Sequence, residues 1–361
     1  MRGSGHALHV VLPNDIDDPA TPSGGNRYDR RVCQGLAARG WTVHEHAVPG
    51  AWPRPTAEQL AGLAGVLAGL PDGAAVLLDG LVAAAVPEVL VPHARRLRLV
   101  VLVHQPLAEV AAAFRDGEAR ALAAAVAVVV TSEWARTRLL DRYPLAPDRV
   151  RVAAPGTDPA PPVPGSPGGG NLLCVAALAP HKGHDLLVRA LATVPEQPWT
   201  AVFVGPLDRD PQFVAGLRRQ LDGYGLAGRV RLAGTRTGAE LAAAYAAADL
   251  LVLASRKETY GMVVTEALAR GLPVLASAAG GVPEALGRAP DGTVPGLLVP
   301  PGDVPALAGA LRDWLRDAGL RARLRDAAHA RRTTLAGWPV TTGIVAAVLD
   351  QVVAPPYGGP A

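Results

Sequence analysis

At 361 residues, with 49% apolar side chains, 19% charged ones and few aromatics, the chain has room for about two domains, each able to bury a core, and lacks the composition of a disordered polymer. Residues 1–163 carry 16 Lys plus Arg against 16 Asp plus Glu and the remainder 19 against 16, so neither half has the strongly basic surface that nucleic-acid binding needs, and none is expected. No run reaches the roughly 18 apolar residues of a membrane span, and the N-terminus lacks a signal-peptide core of adequate length.

In chain order, the first predicted strand is 8–12, followed by a polar loop over 22–26 and a helix over 28–39 that Gly40 stops. Gly24 and Gly25 in that loop allow backbone to approach a ligand at a strand's carboxyl end, or make a plain flexible turn. Cys33 falls in this helix and Cys174 in a strand of the other half, which argues against a disulfide framework and for a reducing cytoplasmic setting. Peripheral contact with the inner membrane face stays open.

Further strands at 42–47, 75–79, 97–103, 126–130 and 149–153 alternate with Ala-rich helical stretches, the pattern of a doubly wound parallel sheet. Asp79 ends one strand before Gly80 and reads best as a turn or cap acid. His104 follows another strand and faces the crevice, as a ligand contact or as a structural hydrogen-bonder. Ser132 is placed as an N-cap. The Pro- and Gly-rich stretch 159–170 reads as a semi-rigid spacer running into a flexible one, dividing domain 1–163 from domain 164–337.

The second half repeats the pattern with strands at 171–177, 200–204 and 229–234 and a helix over 184–193. Lys182 stands at the start of that helix and is one of only two lysines against 33 arginines; it suits a phosphate there, or is a solvated loop residue. Gly205, at a strand end, admits a base or phosphate or simply turns the chain.

Residues 249–288 hold most of the functional information. A strand over 250–254 and a polar loop lead into a helix over 261–270, with Gly271 as its stop and Pro273 before the next strand, 274–276. The first amides of that helix, at Gly261, Met262 and Val263, offer an anion site. Glu258 lies just before it and Glu266 one turn inside, and two carboxylates flanking an anion site suit a diphosphate with hydroxylated rings on both sides, as in a nucleotide sugar. The alternative is an ordinary strand–helix–strand unit in which Glu258 caps the helix and Glu266 is solvated. Beyond it, 297–303 reads as a loop, 304–332 as helices with a solvated arginine face, 340–353 as a last helix and 354–361 as a frayed tail. Asp15 with Asp17, and Asp208 with Asp210, match an Asp-x-Asp metal pattern out of context, and no metal is expected.

Glu258, seven residues, Glu266, the run from Ala267 through Arg270, Gly271 and Pro273 to Val274, and the later Gly280, Gly281, Val282, Pro283, Glu284 together resemble the signature of bacterial family 4 glycosyltransferases. The resemblance implies a GT-B fold: two doubly wound, Rossmann-like parallel-sheet domains facing a cleft, with a C-terminal helix within 338–361 crossing back to the first, acceptor-side domain. It implies a retaining, metal-independent transferase that moves a hexose-like sugar from a nucleotide-diphosphate donor, UDP- or GDP-type, to a small-molecule, glycan or lipid acceptor, with no cofactor. On it, Glu258 contacts donor-sugar hydroxyls, Glu266 the ribose, and the amides of Tyr260, Gly261, Met262 and Val263 the sugar and phosphate. Lys182 resembles the diphosphate lysine and His104 a histidine near the donor sugar; Gly24, Gly25, Arg27 and Tyr28 fall on the acceptor or phosphate side. One departure stands out: Ala177 occupies the position of a phosphate-binding arginine. Either Arg256, Arg27 or another group substitutes, or donor affinity is lower. An isomerase or phosphorylase of the same fold, or an idle binding subunit, are the other readings.

Overall fold

The computed structural model describes residues 6–18 and 23–354, so the tail beyond 354 and position 22 of the first loop lie outside the described residues. Two six-stranded, wholly parallel sheets organise the chain. The first comprises β1 (Ala7–Pro13), β2 (Thr42–Val48), β3 (Ala75–Asp79), β4 (Arg98–Val103), β5 (Ala127–Val130) and β6 (Val150–Val152), in the order β2-β1-β3-β4-β5-β6. The second comprises β7 (Asn171–Val175), β8 (Thr200–Val204), β9 (Val230–Gly234), β10 (Leu250–Leu253), β11 (Val274–Ser277) and β12 (Gly296–Val299), in the order β12-β11-β10-β7-β8-β9. Every residue of β3, β5, β10 and β11 is buried, as expected of strands whose two faces are both covered by helices. In each sheet the order reverses once, between β1 and β3 in the first and between β10 and β7 in the second. Ligands of open α/β sheets bind outside the carboxyl ends of strands at such switch points.

The chain divides into two compact units, one holding Ser23–Gly156 with β1 and the chain from Trp338, the other holding Thr157–Gly337. Within the first unit the helix Trp338–Val353 is fixed by Thr341 Oγ1 donating to the Ala154 carbonyl at 2.7 Å and by Arg39 donating to the Pro339 carbonyl at 2.7 Å. It starts at Trp338, earlier than position 340, because a proline in the first helical turn lacks only an N–H that has no intrahelical partner there.

Four expectations need correction. The helix after β1 is Gly24–Ala38, since the Ser23 hydroxyl accepts from Asn26 N at 3.0 Å and caps it; Gly24 and Gly25 are therefore helical rather than loop residues. Residues 296–299 form edge strand β12, paired in parallel with β11, where a loop was expected. The stretch 159–170 is no flexible spacer. Ser166 donates its backbone N–H and, at 2.7 Å, its hydroxyl to buried Asp249, and Val163 N donates to the Arg270 carbonyl at 2.9 Å. The arginines of helices Val304–Arg316 and Ala318–Arg332 are not merely solvated: Arg321 is buried and donates to the carbonyls of Trp314 and Leu315, while Arg332 reaches those of Ala269 and Ala160. A guanidinium's several donors satisfy backbone carbonyls that would otherwise lie unpaired at helix and loop ends. Among the described residues no helix is long and apolar enough to cross a membrane, and Cys33 and Cys174 are both free and buried.

Candidate functional site

The second unit brings Lys182 and Glu258 together at its switch point. β7 ends at Val175, and the chain passes through a single 3-10 turn, Pro180–Lys182, into helix His184–Leu191. β10, the neighbouring strand, ends at Leu253 and leads through the loop carrying Glu258 into helix Met262–Leu268. The two loops are tied to each other by main chain: Arg256 N donates to the His181 carbonyl at 2.8 Å. Gly183 sits at φ 69, and a Cβ there would overlap the Ala254 carbonyl oxygen, so only glycine lets the two loops close to this distance.

On this frame Lys182 Nζ donates to Glu258 Oε2 at 2.6 Å, with side chains 20% and 14% exposed. The Ser255 hydroxyl donates to the same oxygen at a longer 3.5 Å. The Glu258 main-chain carbonyl accepts from Gly281 N at 3.3 Å, which fixes the loop to the Gly280–Gly281 turn of the same motif. A lysine expected at the diphosphate and a glutamate expected at the sugar hydroxyls, 76 positions apart, thus meet as an ion pair.

Gly261 caps helix Met262–Leu268 at φ 93, and Met262 and Val263, both part-buried, occupy its first turn. The helix is shorter than 261–270 and ends before Gly271, which is left-handed at φ 67 as a stop requires. Glu266 is not a free solvated carboxylate; its Oε2 accepts from the Tyr245 hydroxyl at 2.9 Å, and the Arg270 guanidinium lies over the Tyr245 ring at 4.4 Å. Burial pushes the Tyr260 hydroxyl's pKa up to about 12 against the opposing pull of Arg331, so this phenol stays protonated as a donor. Gly205 ends β8 where a Cβ would overlap the Ala176 carbonyl oxygen; its bareness serves packing of the β7 turn.

Arg256, one candidate to replace the arginine expected at Ala177, is held within the protein. Its guanidinium is bidentate to Asp185, at 2.7 and 2.6 Å, and donates to the Pro180 carbonyl at 2.6 Å. Burial would raise the Asp185 pKa, but the hydrogen bonds and charge of Arg256 more than offset it and hold the carboxyl below its usual value. This clamp braces the same two loops that present Lys182 and Glu258.

In the first unit the assignments change. Tyr28 is buried, and its hydroxyl donates to the Ala153 carbonyl at 2.8 Å; it is a structural strut and not a ligand-facing residue. A Cβ on Gly25 would approach His104 Cδ2 to 3.2 Å, so this glycine makes room for the imidazole. Asp79 caps the turn after β3 by accepting from Leu81 N at 2.6 Å, and Ser132 caps helix Glu133–Arg142 by accepting from Ala135 N at 3.1 Å, both as read from sequence. Asp79 also faces His104 Nε2 at 3.5 Å, and Asp29 accepts at 2.7 Å from the same nitrogen. Asp29 was not legible, because an aspartate inside an arginine-rich helix reads as solvated. Asp185, Tyr245 and Asp249 were missed for a similar reason: each finds its partner far along the chain. Of the Asp-x-Asp pairs, Asp17 pairs with Arg30 at 2.6 Å and Asp210 caps helix Pro211–Gly223.

Residues 164–331 match the family model described as glycosyl transferases group 1. The D-inositol 3-phosphate glycosyltransferase of Kineococcus radiotolerans is 36% identical over 263 residues, covering 66% of this chain and 60% of that protein. Its counterpart in Salinispora tropica is 33% identical over 264 residues, covering 66% and 53%. This chain therefore spans little more than half the length of the curated relatives it matches. Among solved structures, sucrose-phosphate synthase from Thermosynechococcus elongatus superposes with a TM-score of 0.77 at 23% identity, over 96% of this chain and 99% of the other. Anabaena HepE in complex with UDP-glucose gives 0.73 at 19%, again over 96% and 99%. These likenesses establish the fold.

Proposed function

We propose that this chain, a GT-B-fold relative of the family 4 glycosyltransferases, moves a hexose-like sugar from a nucleotide-diphosphate sugar to an acceptor with retention of anomeric configuration. The observation that carries the reading is the Lys182–Glu258 pair, 2.6 Å apart at the switch point of the second sheet, in the loops that lead into two helix starts. Thr157–Gly337 is the nucleotide-sugar unit, and the unit built on Ser23–Gly156 the acceptor side.

In this reading the donor diphosphate takes over Lys182 from Glu258. The ammonium and the amides of Gly261, Met262 and Val263 then stabilise the charge that grows on the leaving diphosphate, so the chain itself supplies the positive charge a metal would otherwise bring. Glu258, released, accepts from sugar hydroxyls, and Glu266, oriented by Tyr245, from the ribose. The acceptor attacks from the leaving-group face, and a diphosphate oxygen takes its proton. With Arg256 clamped on Asp185 and alanine at 177, the diphosphate is gripped by fewer cations than in proteins with the full motif, and donor affinity is correspondingly modest.

UDP-glucose is the first donor to try, being the ligand of HepE, and a phosphorylated polyol the first acceptor class, being what the Kineococcus protein's name specifies. UDP- and GDP-sugars are titrated into the protein while thermal unfolding is followed. One donor is expected to stabilise it by about 2.7 kcal/mol at a hundred times its dissociation constant. The effect disappears in Glu266→Ala and Lys182→Ala. Stabilisation that survives both substitutions puts the donor elsewhere.

A further inference from the structure

The switch point of the first sheet carries a constellation of its own. Asp29 projects from the buried face of the helix that follows β1, Asp79 ends β3, and His104 follows β4 directly. One oxygen or nitrogen from each lies within 4.8 Å of the other two. His104 Nε2 is 2.7 Å from Asp29 Oδ1 and 3.5 Å from Asp79 Oδ2, while the other Asp79 oxygen is held by Leu81 N. The carboxyl side chains are only 1% and 5% exposed, against 18% for the imidazole. Asp29 Oδ2 is buried with no hydrogen-bond partner among the described residues. Tyr28 meets the His104 ring edge-on at 5.1 Å, and its hydroxyl is committed to Ala153. Asp29, Asp79 and Tyr28 are thus the titratable groups that face His104 from the surrounding elements.

Two desolvated carboxylates against one imidazolium would leave an uncompensated buried negative charge. One further proton, shared between the aspartates, makes the cluster neutral and gives Asp29 Oδ2 the donor it lacks. The electrostatics run the same way. Burial and the Asp29 charge raise the pKa of Asp79. For His104, burial pulls the pKa down, but the charge and hydrogen bond of Asp29 and the charge of Asp79 prevail and lift it to about 9.

We infer that Asp29 is a positioning residue: with a protonated Asp79 it holds His104 as an imidazolium, whose Nδ1–H is a fixed cationic donor to a substrate oxygen and which cannot serve as a general base. Nδ1 makes no hydrogen bond among the described residues, and Nε2 is fully engaged. A single aspartate behind a histidine commonly orients a neutral ring for proton abstraction. The second carboxyl at Asp79 changes that outcome, because the aspartate pair sharing one proton keeps one negative charge beside Nε2 and neither carboxyl competes for the Nδ1 face. The contact with substrate rests on the transferase reading; the protonation state does not.

The decisive measurement is 15N NMR of the full-length protein labelled at histidine, with the His104 resonances assigned by their loss in His104→Gln. In the wild type both His104 nitrogens are expected to carry protons at about pH 7.5, where an unperturbed histidine is mostly neutral. Asp29→Asn lowers the proton affinity of His104 by at least about tenfold, Asp29→Glu restores it, and Asp79→Asn, whose amide still donates to Asp29, leaves the ring charged. A neutral His104 in the wild type overturns the inference even if Asp29→Asn fails to fold. So does an unchanged titration in a folded Asp29→Asn, and so does displacement of the His104 resonances by equimolar Zn2+, which would make the cluster a metal site. Once a turnover assay exists, activity should be level across neutral pH and fall above about pH 9, whereas a general base gives a rising limb near its ordinary pKa. Absence of turnover touches the transferase reading alone and leaves the NMR result standing.

Discussion

Removing Lys182 should destabilise the donor-free protein through Glu258, and the size of the effect follows from the geometry. The ammonium and carboxylate are 2.6 Å apart and less than a quarter exposed, and the Ser255 hydroxyl lies at a longer 3.5 Å from the same oxygen. A charge-assisted hydrogen bond of this kind is worth about 1.5–3 kcal/mol, and truncating one partner leaves the other charge poorly solvated. Lys182→Met is therefore expected to lower the stability of the second unit by about 2 kcal/mol, Glu258→Gln by a similar amount, and the double variant by clearly less than their sum. Urea unfolding followed by two probes, one for each unit, gives the three differences and checks whether the units unfold together. A coupling below about 0.5 kcal/mol means the two groups behave independently, and refutes the ion pair as the resting state of the site.

Alkaline pH should weaken the first unit. The His104 pKa of about 9 in the fold exceeds its unfolded value, so its stabilisation is complete below about pH 6.5 and is lost as pH rises through 9, a change of at most about 3 kcal/mol. The raised Asp79 carboxyl also binds its proton more tightly in the fold and extends the decline to lower pH. Thermal unfolding between pH 6 and 10 should show this slope and His104→Gln should flatten it; equal slopes contradict the network. In the second unit, Gly183→Ala forces φ 69 on a residue with a Cβ that meets the Ala254 carbonyl. A loss of at least about 2 kcal/mol in chemical denaturation is expected, and a neutral result would mean the two loops are not held together there.

Much of this was legible in the sequence. The buried strands announce themselves as short apolar runs between glycines and prolines, and the parallel order follows from their alternation with helices. Edge strand β12 escaped because Leu297, Leu298 and Val299 run straight into two prolines and half of the strand is not buried. Ser23 was hidden as a cap because the glycines after it are poor helix formers. In the candidate site, Lys182, Glu258 and Glu266 were individually readable as candidates, since the first two stand between a strand end and a helix start and the third one turn inside the helix. Their pairings were not. Lys182 with Glu258, Arg256 with Asp185, and Asp29 with His104 each join residues more than seventy positions apart, and only the order of strands in a folded sheet decides which loops become neighbours.

The central claim is that Lys182 and Glu258 serve a nucleotide-diphosphate sugar. The most direct test is nucleoside diphosphate release from a panel of UDP- and GDP-sugars, with and without polyol phosphates, in the wild type and in Lys182→Ala and Glu258→Gln. Release from one donor, accelerated by one acceptor, giving a product of unchanged anomeric configuration and falling at least about a hundredfold in both variants, is the predicted result. Release that is undiminished in both variants would contradict the placement of the site, and an inverted product would contradict the mechanism.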